Sequence, residues 1–74
     1  MLLYKNLSGD SGIKAFEIGD DYIIVEFTNG EHYMYTNEIT SKTEVDRMKE
    51  LAIAGQGLNS MLAKRPYHKH AKKW

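Results

Sequence analysis

Two groups of residues in this 74-residue chain have side chains suited to chemistry, and both point to binding rather than bond-making. The first is the run that closes the sequence. It holds Lys64, Arg65, Lys69, Lys72 and Lys73 with no acid among them, and it interleaves Tyr67 and Trp74. Cationic side chains neutralise phosphates and aromatic rings stack on unpaired bases, so this run is a candidate single-stranded nucleic-acid contact. The second group is Tyr33 and Tyr35, one residue apart in a strand-like segment. Facing solvent they would offer a stacking platform; facing inward they would be core residues with hydroxyls at the rim.

Charge sharpens the first reading. Residues 1–63 carry all ten acids against five bases, a balance of −5, and residues 64–74 stand at +5, so the net charge of zero conceals an acidic body and a basic end. A solvated tail that keeps the protein dispersed is the plainer explanation. A tail folded back on its own body would quench both fields.

Other constellations fail on chemical grounds. Gly55-Gln56-Gly57 precedes a helix, but dinucleotide and P-loop sites need a preceding strand and a longer glycine pattern, so a helix–helix corner is expected. Asn59 is expected to cap the helix that follows. His68-Lys69-His70 places its imidazoles among ammonium groups that oppose a divalent cation, and Asp10, Asp20 and Asp21 lack the spacing of an oxygen-ligand loop. Ser8, Ser11 and His32 form no nucleophile motif, and a chain this short has little room for a deep pocket. No catalytic residue, cofactor, metal or small-molecule substrate is therefore expected, and the chain reads as a non-enzyme.

The elements that must position these residues are legible from period and punctuation. Ile13–Ile18 is a strand of mixed period, Gly19-Asp20-Asp21 a turn, and Tyr22–Phe27 the strongest strand. Asn29-Gly30 is a hairpin signal, and His32–Thr36 returns as a third strand. Ser41-Lys42-Thr43-Glu44 has the form of a capping box. Val45, Met48, Leu51, Ala52 and Gly55 then recur at helical spacing, and the Gly55 region should end that helix. Leu58, Met61 and Leu62 mark a second helix, which Pro66 should stop at Arg65. Leu2, Leu3 and Leu7 are expected to pack against the domain. Pro66 to Trp74 shows no apolar face and is expected to be a flexible tail of a single domain spanning residues 1–65.

Hairpin register decides what the tyrosines do. A two-residue Asn29-Gly30 turn would pair Phe27 with His32 and set Tyr33 and Tyr35 opposite the Ile23, Val25 and Phe27 face. A three-residue loop, Thr28-Asn29-Gly30 with Gly30 left-handed, pairs Phe27 with Glu31 and brings Ile23, Val25, Phe27, Tyr33 and Tyr35 to one face. The second arrangement gathers the larger apolar set, so it is the expected one, with Glu26 opposite His32 and the tyrosines inward. It leaves Tyr22, Ile24 and Met34 as an apolar strip on the outer face, to be covered by Leu2 and Leu3 or by a second chain.

With these pieces in place, the chain resembles the KTSC domain, a small family named after a segment at the C-terminus of some lysyl-tRNA synthetases and also found as free-standing bacterial proteins. The matching residues are Ile13, the alternation Ile23-x-Val25-x-Phe27, Asn29-Gly30, Tyr33-Met34-Tyr35 and Gly57-Leu58-Asn59, over about residues 11–62. Thr36-Asn37-Glu38-Ile39 stands here where the family pattern has Val-Pro. The resemblance implies a domain without established activity, for which RNA binding has been suggested, and no catalytic residues.

The expected fold is α+β: a three-stranded antiparallel meander with two short helices on one face. No apolar run is long enough to span a membrane. The absence of cysteine, and the early Lys5 and Asn6 that interrupt any leader, lead to an expected cytoplasmic location. The expected function is a non-catalytic RNA accessory module using the basic C-terminal residues; five neutralised phosphates on a single strand imply a log–log salt slope of roughly −3.5. The alternative is a protein-interaction or self-associating domain using the outer sheet face or a strand edge.

Overall fold

The computed structural model describes residues 1–7, 9, 12–64 and 70–74. Ser8, Asp10 and Ser11 lie outside the described residues, as do Arg65, Pro66, Tyr67, His68 and Lys69. The order of elements is β1 (Leu2–Leu3), β2 (Ile13–Ile18), β3 (Tyr22–Phe27), β4 (His32–Thr36), α1 (Lys42–Ala54), α2 (Leu58–Lys64) and β5 (Lys72–Lys73).

The architecture is α+β with an antiparallel sheet, but it has five strands rather than three, in the order β1-β2-β3-β4-β5. The three strands read from the sequence form its centre. The added strands β1 and β5 are two residues each and lie at opposite edges. A two-residue strand has no alternation to read, and its pairing is decided by what the rest of the fold leaves exposed. Within β2 the register shifts between Ile13 and Ala15. This bulge sets Ile13 opposite Phe27 and Phe16 opposite Val25, so two residues three apart share the inner face, which explains the mixed period of that segment.

The β3–β4 hairpin takes the three-residue loop. Phe27 N–H donates to Glu31 O at 2.9 Å, Gly30 N–H donates to Phe27 O at 2.9 Å, and Gly30 has φ +91°. Glu26 therefore faces His32, Val25 faces Tyr33 and Ile23 faces Tyr35. Tyr35 is 1% exposed, packed with Ile23, Val25, Val45, Met48 and Leu58 in one cluster.

Helix α1 begins where Ser41 Oγ accepts from Glu44 N–H and ends at left-handed Gly55, whose N–H reaches Leu51 O and Ala52 O. Val45, Met48 and Ala52 form its buried stripe. Lys49 leaves the flank of this stripe to donate to Gly19 O at 2.8 Å and Asp20 O at 3.1 Å, tying α1 to the β2–β3 turn. Helix α2 inserts Leu58 and Leu62 into the same core. Asn59 lies inside α2 rather than at its cap, since the helix starts one residue earlier.

The N-terminal segment packs differently from expectation. Leu2 is 63% and Leu3 75% exposed, and Leu7 is exposed too, whereas Tyr4 is buried. β1 is an edge strand, so its side chains have a neighbour on one flank only. Tyr4 goes inward because its hydroxyl accepts from Leu58 N–H at 3.4 Å, one of the amides that the first turn of α2 leaves without a helical partner. No helix of the described residues is long and apolar enough to cross a membrane.

Candidate nucleic-acid interface

The functional question centres on β5 and the Trp74 that follows it, which together supply three of the basic and aromatic residues singled out at the C-terminus. Backbone pairing fixes it on β4: Ala71 N–H donates to Met34 O at 2.7 Å, His32 N–H to Trp74 O at 2.7 Å and Trp74 N–H to His32 O at 2.9 Å. Tyr33 faces Lys73 and Met34 faces Lys72. Opposed residues of an antiparallel pair share a face, so the three side chains alternate. Lys72 and Trp74 emerge on the outer face, away from the helices. Lys73 emerges on the tyrosine side.

On the outer face Trp74 stacks on His32, ring centroids 5.3 Å apart and planes within 5°. His32 Nε2 lies 3.6 Å from Glu26 Oε2, so a carboxylate, an imidazole and an indole run in sequence across three strands. Trp74 remains 53% exposed. Its ring is thus held on one side and open on the other. Ile24, Met34, Lys72 and Trp74 border a cleft of about 500 Å³ beside it. Among the described residues Lys72 has no ion-pair partner.

On the other side, Lys73 Nζ lies 3.6 Å from Glu31 Oε2 and 5.2 Å from the centroid of the Tyr33 ring. A hydrogen bond with the Tyr33 hydroxyl, and the nearby Glu31 charge, raise the Lys73 pKa above its ordinary value. Part of the basic field is therefore answered by the body's own acid.

The structure divides the sequence-derived candidates as follows. Lys72 and Trp74 share a surface, and Lys73 is engaged next to them. Lys64 closes α2; Arg65, Tyr67 and Lys69 lie outside the described residues. Tyr33 and Tyr35 stack on each other at 6.3 Å on the helix-facing side, and the edges of Phe27 and His70 meet the Tyr33 ring. They offer no open platform. Tyr22 donates its hydroxyl to Glu17 Oε2 at 3.0 Å. Leu2 and Leu3 are exposed at the β1 edge and do not cover the Tyr22-Ile24-Met34 strip; Ile24, itself buried, and Met34 lie beside Lys72 and Trp74 instead.

His32 is the residue that sequence reasoning passed over as a binding element. Its one signal was its place opposite Glu26 in the expected register; the stack needed β5, which carries no readable period. Among the described residues no three His, Cys, Asp or Glu side chains gather as a metal site. No family model matches the chain, and no curated protein or solved structure shows significant similarity to it.

Proposed function

We propose that this protein is a non-catalytic binding module that takes single-stranded RNA along the β5 side of its open sheet face. The observation that carries the reading is the Trp74 ring, pinned by two backbone hydrogen bonds and stacked on His32 with its other face exposed beside Lys72. An aromatic already fixed in place loses little freedom when a base stacks on it, and such a contact is worth about 1–3 kcal/mol per base. Lys64, Arg65, Lys69 and Lys72 supply phosphate contacts, with Tyr67 as a second stacking ring. The KTSC-like pattern supports the same reading.

Because Glu31 engages Lys73, four rather than five phosphates are neutralised, and the expected salt slope falls to roughly −3. Trp74 is the sole tryptophan, so its emission reports the contact directly. A single-stranded RNA oligonucleotide should quench it, with affinity falling on that slope as salt rises and a weaker response from the matching DNA. Quenching that ignores salt, or RNA binding that leaves Trp74 unchanged, overturns the reading.

A second reading is favoured by a separate observation. Leu2, Leu3 and Ile53 are all exposed and border one groove with Phe16 and Ala52 at the β1 edge. An open strand edge with apolar flanks is a template for pairing with another chain. This edge replaces the Tyr22-Ile24-Met34 strip as the surface for a protein partner or a second copy. Sedimentation of the wild type against Leu3→Lys tests it: association lost in the variant supports the edge, and a wild type that is monomeric and retains no partner counts against it.

A further inference from the structure

A second concavity lies between the β3–β4 hairpin and α2, away from the Trp74 surface. Its volume is about 280 Å³, and Phe27, Tyr33, Tyr35, Glu31, Asn59 and Leu62 are among its lining residues. The chemistry of this wall is one-sided. Two aromatic rings stand nearly perpendicular, Phe27 against Tyr33 at 83°, and a third, Tyr35, lies almost parallel to Tyr33. Among the described residues, the charged group of the lining is the Glu31 carboxylate. The Tyr33 hydroxyl donates to its Oε2 at 3.1 Å, and the backbone that carries it is fixed by the Glu31 N–H donating to Asn29 Oδ1 at 3.0 Å.

Aromatic ring edges and hydroxyls beside a carboxylate, in a cleft of mixed polarity, are features that attract a cation with an alkyl body. The chain itself supplies a marker beside the cleft: the Lys73 ammonium, outside the lining, lies 5.2 Å from the Tyr33 ring centroid and 3.6 Å from Glu31 Oε2. We infer that the cleft between the β3–β4 hairpin and α2 binds an organic cation of the alkylammonium class, with Lys73 as the resident group it competes with for Glu31 and Tyr33. This site uses the opposite face of the sheet and a ligand of opposite charge from the RNA reading, and the two meet only at Lys73, which a bound cation would release from Glu31.

The alkylammonium can belong to a free amine or to a lysine side chain of a peptide, and the probes separate the two. The full chain is titrated with choline and with its neutral isostere, in which a quaternary carbon replaces the nitrogen. A short lysine-containing peptide and its acetylated twin form the second arm. The ring-proton shifts of Phe27 and Tyr33 are followed by NMR. Choline is expected to shift these rings at lower concentration than the isostere. Lys73→Gln, which keeps the β5 backbone pairing, should tighten choline binding by about two- to fivefold, the range for one exposed cation–π contact. Glu31→Gln, a change at a half-buried position outside the core cluster, should erase the preference for charge. A peptide response that exceeds choline and vanishes on acetylation assigns the site to lysine side chains; a choline response without one assigns it to free small-molecule ammonium cations. Equal shifts from choline and the isostere, no shift from any cation, or weaker choline binding in a folded Lys73→Gln variant overturns the inference. Because Trp74 emission is not its readout, its failure leaves the RNA reading untouched, and the reverse holds as well.

Discussion

Trp74 lies flat on His32, with ring centroids 5.3 Å apart, and this contact closes the sheet at its β4–β5 edge. Two backbone hydrogen bonds join the same pair of residues, so stack and ladder reinforce each other. Such ring pairs contribute about 0.5–1.5 kcal/mol beyond the area they bury. His32→Ala should therefore loosen Trp74 while leaving the helical core intact. Its emission should move to the red and its anisotropy fall, with little change in the midpoint of global unfolding. His32→Phe keeps a ring beneath the indole and should restore both signals. An indole signal that is the same in wild type and His32→Ala would show that the ladder alone holds β5.

How far this arrangement was legible in the sequence depends on how local its causes are. Ile13–Ile18, Tyr22–Phe27 and His32–Thr36 were readable because alternation and Asn29-Gly30 are local signals, and the Gly30 bulge set the inward face of Tyr35. Ser41 and Gly55 marked the ends of α1 for the same reason. Leu2 and Leu3 misled because hydrophobicity alone does not say which side chain reaches the core. Tyr4 is the one that does, since an α2 amide donates to its hydroxyl. β5 was illegible because Lys72 and Lys73 pair with β4 only after both helices have carried the chain back across the sheet. The platform at Trp74 inherits that non-local cause.

Ser41 combines a favourable cap with an unfavourable backbone. Its Oγ accepts from Glu44 N–H, yet its φ is 145°, a region that residues with a Cβ rarely adopt. Ser41→Ala removes the cap and keeps the strain, so it should destabilise by about 1 kcal/mol. Ser41→Gly loses the same bond but relaxes the backbone, and should come out more stable than the alanine variant. Urea unfolding of the two variants side by side decides it; alanine matching or exceeding glycine would refute the strain argument.

Gly55 is constrained more tightly. It ends α1 with φ +79°, its carbonyl accepts from Leu7 N–H at 2.8 Å, and a Cβ placed on it would stand 2.6 Å from Lys5 Cβ. The left-handed conformation alone costs a residue with a side chain about 1–2 kcal/mol. Gly55→Ala should lose at least that much, plus whatever the Lys5 segment gives up in moving away. Asparagine tolerates the left-handed region better but meets the same Lys5 atoms. Gly55→Asn recovering most of the loss would mean the dihedral angle is the dominant cause, and both variants failing equally would assign it to the close approach.

The alkaline limb of stability has two identified contributors. Tyr22 donates its hydroxyl to Glu17, and that hydrogen bond, the Glu17 charge and lesser effects of Asp21 and Asp20 raise its pKa. Lys73 is raised by the Tyr33 hydroxyl and by Glu31. In both cases the folded chain holds its proton more tightly than the unfolded chain. The stabilisation is therefore complete below the unfolded values and is lost as pH rises through the folded ones. Denaturant midpoints should be level near neutrality and decline from about pH 9 to about pH 12, where unperturbed tyrosine and lysine titrate. Glu17→Gln removes the charge and the strongest acceptor facing Tyr22. It should bring the phenolate absorbance of one tyrosine to lower pH and flatten part of that decline. A Glu17→Gln protein whose phenolate titration overlays the wild type would disconnect Tyr22 from the alkaline loss, leaving Lys73 as its source.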